Sequence, residues 1–540
     1  LNPYLLGSLA VLATTARILG LIGLSVLSGW FLGYIAVMNR RFESVYVALT
    51  EVLESVPVIS FFPIVLIFFV SGIGGPLGVE LAADFLVFTA VVWNIWIGIY
   101  QAFKTLPKEM HEVSENYSLG FWQRMNSLYV PFSVPRIAAN LFPSFADGFF
   151  YIVVSEVFSV GASTYSTFGV GSFLDMEAGA GDLAAVAFTM VFTAAVVVAV
   201  TLGLREFGKL AVSKYTLDTD TPIMRRGRIR LRYSAVLSHV ISKNTLQRLS
   251  LYNRRGMARR FSALVEQPPK ARGANRYIGW AVLALFLVLL MYGVVETLAK
   301  VPVALWGKLV GLTPEVLVNL GFDYLRVGII TAVSLAIAVS LGYYLAVNKR
   351  VERILIPLLQ IVSSYPAPVY FPLLFLIMLP FVHGALGPLT TEFFVLLLGF
   401  VSTFYYVFFS FWMGVKSLPV EYWELMKNLR MGFLQKMRSI ILPASLPYLI
   451  AGISSTVNSA WGGLMIAEYW PNIVKGTTLE VHHGLMKFIA ANTATGNIGY
   501  AAWGSLLFGM VVVLYSYFFT KRMMDLARKR YIPEEGVYAA

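Results

Sequence analysis

The chain of 540 residues is 58% hydrophobic and only 13% charged, with a mean hydropathy of +0.71, more hydrocarbon than a soluble core can hide. A formal charge of +13 and a pI near 9.6 would suit nucleic acid, but the basic residues cluster between apolar segments, which points to lipid and away from nucleic acid. The absence of cysteine excludes disulfides, thiolate metal sites and cysteine nucleophiles.

Apolar runs of roughly 18 to 25 residues, the length that crosses a ~30 Å hydrocarbon layer as a helix, recur along the whole chain. The first set lies near 14–37, 50–70, 85–103, 137–158 and 184–204. The second lies near 278–298, 324–347, 354–380, 393–415, 447–467 and 502–519. The expectation is an all-α polytopic membrane protein with about eleven crossings. Five fall in a first unit, residues 1–204, and six in a second, 276–540, with a basic linker at 205–275. Lys and Arg fill alternate loops. One side carries Arg40, Arg41, the loops 104–136, 205–276, 349–353 and 416–438, and a tail with Lys521, Arg522, Arg528, Lys529 and Arg530. The other side has Lys300, Lys308, Lys475 and Lys487. Positive residues mark the cytoplasmic face, so the expected topology is a multi-pass plasma-membrane protein ending in the cytoplasm.

The two sets of spans are copies of one another. Residues 116–135 align with 428–447 at nine identical positions of twenty, including Gly120 with Gly432, Phe121 with Phe433, Pro131 with Pro443 and Pro135 with Pro447. The same register pairs Lys104 with Lys416, Pro107 with Pro419, Glu112 with Glu424 and Glu156 with Glu468. After a short shift it pairs Pro57 and Pro63 with Pro366 and Pro372, Arg41 with Arg350, and Arg17 with Arg326. Corresponding loops face the same side, so the copies run parallel and are expected to be related by an axis along the membrane normal. The span at 278–298 has no partner in the first copy; its counterpart is expected either upstream of Leu1 or not at all.

In each copy the best-matched loop combines acidic, basic and apolar residues, Phe121 and Trp122 in one and Phe433 and Leu434 in the other, at a spacing suited to a short helix seated in a partner's groove. These loops resemble the cytoplasmic motif of ABC importer permeases: Glu-Ala-Ala, three residues, Gly, nine residues, Ile-x-Leu-Pro. The second copy reads Glu424-Leu-Met, Arg430 at the Gly position, then Ile440-Ile-Leu442-Pro443; the first reads Glu112-Val-Ser, Ser118 at the Gly position, then Leu128-Tyr-Val130-Pro131. Both copies place a Gly two residues later, at Gly120 and Gly432, a departure that bears on the bend of the loop. Arg17 and Arg326, the segment Tyr365-Pro-Ala-Pro-Val-Tyr-Phe-Pro372, and Glu156 and Glu468 are similar to the nitrate, taurine and sulfonate branch. The resemblance implies tandem type I permease units that move a small anion by alternating access. It also implies a coupling helix in each loop, two ABC ATPase subunits that bind ATP and Mg²⁺, and an extracytoplasmic substrate-binding protein.

No energy source is expected in the chain itself. Gly203-Leu-Arg-Glu-Phe-Gly208-Lys209 has the spacing of a phosphate loop, but Leu210 stands where Ser or Thr would hold Mg²⁺, and the segment follows an apolar helix where a strand is required. Polar residues inside apolar spans are costly and mark candidate path linings: Ser144, Asp147 and Ser155, then Ser454, Ser455, Asn458 and Ser459. Small residues also serve helix packing, so the serines have a purely structural alternative. An acid such as Asp147 is unexpected in the path of an anion, and so is expected to be paired or near a mouth. Glu156 and Glu468 are expected to pair with Arg17 and Arg326, as structural ion pairs in preference to a gate. His482 and His483 are adjacent, and neighbours on a helix diverge, which argues against a metal site. No catalytic constellation is present. The alternative, a gradient-driven secondary transporter, would carry more paired ionisable residues at mid-membrane and gives no reason for matched loops.

Overall fold

A computed structural model describes residues 2–55, 65–104, 119–160, 163–215, 302–474 and 476–515, with isolated positions among 58–118, 284–299 and 518–523. The linker 216–283 and the expected span at 278–298 lie outside the described residues, apart from isolated positions of the span.

In the first copy α1 (Pro3–Met38) opens with the Asn2 side chain accepting from the Tyr4 amide and with Pro3 in the first turn, where a missing N–H costs nothing. It ends at Asn39, whose extended backbone stops the helix and whose carboxamide oxygen accepts from the Arg41 and Phe42 amides to start α2 (Arg40–Ser55). α2 buries Phe42, Tyr46, Thr50 and Leu53 along one stripe and leaves Arg41, Ser44 and Val45 exposed. The span expected at 50–70 begins inside α2, which starts at Arg40, and ends in a widened turn at Leu66–Ile73, while most of its middle, 56–64, lies outside the described residues. Next come α3 (Gly75–Lys104), the short α4 (Phe121–Arg124) and α5 (Val130–Ser155). A hairpin of β1 (Val157–Val160) and β2 (Ser163–Ser166) leads to α6 (Val170–Ala180) and α7 (Leu183–Tyr215).

The second copy repeats this order with α8 (Val303–Val347), α9 (Lys349–Ser364), α10 (Ala367–Leu386) and α11 (Thr390–Lys416). They are followed by α12 (Val420–Asn428), α13 (Phe433–Lys436), α14 (Leu442–Ala467) and the hairpin β3 (Tyr469–Val474) with β4 (Thr477–Glu480). α15 (Leu485–Ala494) and α16 (Ile498–Tyr515) complete it. The span expected at 354–380 is two helices, because Pro366 holds Tyr365 extended, with φ −79° and ψ 119°, and breaks the run between α9 and α10. α8 starts at Val303, well before the expected 324; its 45 residues reach about 68 Å, twice the hydrocarbon thickness.

Among the described residues seven helical segments are long and apolar enough to cross a membrane, or eight if the pair Phe121–Ala138 and Asn140–Ser155, inclined by 59°, forms one span. That is fewer than the expected eleven. One segment, Ala367–Lys416, contains two of the expected spans, and another expected span lies outside the described residues.

α3 packs between α1 and α5, and α11 packs between α8 and α14, so each copy has its own apolar core. The copies then exchange contacts: α9 of the second lies on α5 and α7 of the first, while α2 of the first touches α16 of the second. The Tyr365 hydroxyl crosses to the Met190 carbonyl at 3.0 Å.

Candidate functional site

Between the copies lies a cavity of about 360 Å³, walled by α5, the end of α7, the α9–α10 corner, α11 and α14. Asp147 of α5 and Ser459 of α14 line it from repeat-equivalent positions, and Tyr406 of α11 joins them. The Tyr406 hydroxyl donates to Asp147 Oδ1 and is also hydrogen-bonded to Ser459. The aromatic side chains of Phe142, Phe150, Tyr151, Tyr405 and Phe409 line it too, and the exposed Arg205 of α7 is part of its wall.

Of the residues singled out in the sequence, Asp147 and Ser459 reach this cavity. Ser144 and Ser155 are buried in helix packing, the latter bonded to the Ile152 carbonyl. Ser454 and Asn458 are half-buried and Ser455 exposed, all outside the cavity lining. Tyr406 and Arg205 carry no sequence signal of their own, because the repeat places Asn94 where the second copy has Tyr406.

At one end of each copy an arginine is held by three carboxylates. Arg17 meets Glu80 at 2.6 Å, Asp84 at 3.3 Å and Glu156 at 3.3 Å. Glu156 also accepts from the Thr14 hydroxyl and the Gly171 amide, both at 2.6 Å. Arg326 grips Glu392 through two nitrogens at 2.6 and 2.8 Å and meets Glu468 at 2.9 Å and Asp323 at 3.2 Å. Asp323 Oδ2 accepts from the Leu485 and Met486 amides. Gly169 and Gly484 face these clusters; a Cβ there would stand 1.9 and 2.1 Å from the Glu156 and Glu468 carboxylates. The pairs Arg17–Glu156 and Arg326–Glu468 are those the sequence suggested. Glu80 and Glu392 share the register of Glu156 and Glu468, so extending the repeat alignment would have found them.

A smaller clasp repeats at the first corner of each copy. Glu43 meets Lys104 at 2.5 Å and the Tyr100 hydroxyl at 2.6 Å; Glu352 meets Lys416 at 2.9 Å and the Trp412 indole at 3.0 Å. Burial alone would raise the Glu43 carboxyl, but the hydrogen bonds from Lys104 and Tyr100 outweigh it and hold it below its ordinary value.

The matched loops have one local design. Gly120 and Gly432 cap α4 and α13 with extended backbone, and a widened turn follows at Met125–Tyr129 and Met437–Ile441. The widening has a cause in Pro131 and Pro443, which lack the N–H that a regular turn would use and crowd the carbonyl four residues back. Phe121 packs on Tyr34 and Phe433 on Tyr343, ring centroids 5.0 and 5.4 Å apart, leaving Trp122 and Leu434 outward. Glu112, Glu424 and Arg430 are exposed, and Ser118 lies outside the described residues. Arg430 has φ 46°, the left-handed conformation that glycine favours, and closes α12 with bonds from the Arg430 amide to Lys427 and the Met431 amide to Met426. Among the described residues no group of three or more His, Asp or Glu is arranged to hold a metal ion.

The family model for binding-protein-dependent transport system inner membrane components matches residues 25–207 and 337–532, once in each copy. The chain belongs to this family. It is a duplicated permease component, multi-pass in the inner membrane. The permease is 27% identical over 220 residues to a Bacillus subtilis protein named for aliphatic sulfonates transport, SsuC, covering 37% of this chain and 72% of the relative. It is 22% identical over 162 residues to the nitrate import permease NrtB of Synechococcus elongatus, covering 30% of this chain and 53% of that relative, about half its length.

Proposed function

We propose that this chain is the transmembrane permease of an ATP-driven ABC importer, its two copies alternating between outward and inward openings around the central cavity. Residues 1–204 and 276–540 form the two units and 205–275 tethers them on the cytoplasmic side, where the chain also ends. Two ABC ATPase subunits supply ATP and Mg²⁺ binding and seat on the loops carrying Glu112, Ser118, Gly120, Phe121 and Pro131, and Glu424, Arg430, Gly432, Phe433 and Pro443. An extracytoplasmic binding protein delivers the cargo. The names of the relatives support a cargo with an anionic group.

The observation that carries this reading is the duplicated loop. Each presents a large apolar side chain to solvent from the same position, Trp122 at 73% exposure and Leu434 at 80%, and exposed apolar tips of this kind mark docking sites. The test is purification of the native complex, identification of co-purifying chains, and an ATPase assay on wild type and the Glu112→Arg, Glu424→Arg double variant. An ATPase subunit that co-purifies and is lost or uncoupled in the variant is the expected result. No ATPase, with a variant indistinguishable from wild type, would overturn it in favour of a gradient-driven transporter.

A further inference from the structure

α9 has two faces with different neighbours. On one, Gln360 and Ser363 line the central cavity, and the helix rests on α5 and α7 of the first copy. The other carries Arg350, Ile354, Leu358 and Val362, each one turn from the next and all exposed. Lys349 and Arg353 are exposed beside Arg350, and none of these three cations makes an ion pair among the described residues. The acid between them, Glu352, is already taken by Lys416 and the Trp412 indole. That clasp fixes their depth, because Lys416 ends α11 just before the matched loop, so the cations stand at the end of the bundle that carries the loops. From there the stripe Ile354 to Val362 runs about 12 Å along the helix axis, close to the ~15 Å that one leaflet contributes to a ~30 Å hydrocarbon layer. Tyr344, exposed at the end of α8, adds a ring at the boundary between headgroups and chains.

The first copy does not repeat this face. In the register that pairs Arg41 with Arg350, Ser44 stands in place of Arg353 and Leu53 in place of Val362. Leu53 is 8% exposed and packed into the core of the first copy, whereas Val362 is 52% exposed. The second copy thus adds a third cation and opens the apolar stripe below it. We propose that this face of α9 binds an anionic phospholipid of the leaflet on the side of the matched loops, its phosphate held by Lys349, Arg350 and Arg353 and an acyl chain lying along Ile354, Leu358 and Val362. Guanidinium groups match phosphate oxygens in geometry and charge, and cations above an apolar stripe suit a molecule with an acidic head and a hydrocarbon tail. The chain's own basic linker, 205–275, would meet like charge there. The site needs neither a particular cargo nor an ATPase, and it sets a lipid on the helix whose opposite face lines the cavity.

The test uses the full chain in phosphatidylcholine nanodiscs. The chain has no cysteine, so Ile354→Cys takes a single fluorescent label beside the cations. The quenchers are phosphatidylglycerol and phosphatidylcholine, each with a spin label high on one acyl chain. Phosphatidylglycerol is expected to reach half-maximal quenching at a mole fraction about tenfold lower than phosphatidylcholine. Adding Arg350→Gln and Arg353→Gln brings the two lipids level, and Arg350→Lys with Arg353→Lys retains the preference, which separates loss of charge from loss of fold. Val45→Cys, at the matching position of the first copy, is expected to report a clearly smaller preference. Equal quenching by the two lipids at Ile354→Cys overturns the proposal, as does a preference that survives the two glutamines. Quenching by neither lipid means that protein covers the face, and overturns it too. An equal preference at Val45→Cys reduces the effect to the general attraction of a basic surface and overturns a site particular to the second copy. Co-purification of an ATPase does not enter any of these readings, so the lipid site and the importer reading stand or fall separately.

Discussion

Around Arg17 and around Arg326 the fold places one guanidinium among three carboxylates, yet the third carboxylate comes from different helices. Arg17 takes it from Asp84 on α3, where the second copy has Leu396. Arg326 takes it from Asp323 on its own helix, where the first copy has Thr14. Two carboxylates, on the helix facing the arginine and at the end of the helix after the matched loop, are common to both. The difference shows what the two copies share: three carboxylates on one arginine, with the position of one acid free to move. It also changes burial. Asp323 and Glu468 have no exposed side-chain surface, whereas around Arg17 only Glu156 is that deep, and Glu80 and Asp84 keep 38% and 34% exposure.

The comparison predicts unequal consequences for the same substitution. Arg326→Met strands two fully buried carboxylates and is expected to cost about 3–5 kcal/mol, the range for removing one partner of a buried ion pair. Arg17→Met strands one, while Glu80 and Asp84 turn to water, and about half that loss is expected. Denaturant unfolding of the purified permease in detergent, followed by tryptophan fluorescence, measures both. Equal losses would mean that burial does not set the cost.

A transplant then asks whether the moved acid is interchangeable. Thr14→Asp alone adds a fourth carboxylate at a fully buried position and is expected to cost roughly 1–3 kcal/mol. Asp84→Leu in the same chain recreates the second copy's arrangement and is expected to recover at least half of that loss. The double-mutant cycle should then show a coupling of about 1 kcal/mol or more. Strict additivity in that cycle would show that the two acids do not answer to one arginine.

The membrane class and the duplication were legible because lipid demands long apolar runs and because the loops of the two copies share nine of twenty residues. The ion pairs were legible for the same reason, each partner recurring in one register. What hydropathy concealed was where helices stop. The run 354–380 carries no charged residue, and the backbone restriction that Pro366 imposes on Tyr365 divides it. α2 was concealed differently, its buried Phe42, Tyr46 and Leu53 being visible as a stripe but outweighed by the more apolar residues that follow. The cavity could be read only in part: Asp147 and Ser459 stood out as polar residues in apolar helices, but Tyr406 meets Asp147 only when the two copies face each other, and Tyr406 breaks the repeat.

The loops carry a smaller test of the same principle, that a conformation can persist where its usual residue does not. The importer motif calls for glycine where this chain has Ser118 and Arg430, and the backbone at Arg430 still turns through φ 46° to close α12. The bonds from the Arg430 and Met431 amides satisfy carbonyls that the helix end would otherwise leave open, and they hold only if the residue stays left-handed. An L side chain in that region costs about 1 kcal/mol relative to glycine, less a few tenths for the greater freedom glycine has in the unfolded chain. Arg430→Gly is therefore expected to stabilise the permease by roughly 0.5–1 kcal/mol, and Arg430→Val, β-branched at the same backbone angles, to destabilise it by at least as much. Thermal midpoints of the two variants against wild type decide the matter. If Arg430→Gly lowers the midpoint, the left-handed turn is not what the chain adopts there, and the motif's glycine has been replaced in conformation as well as in identity.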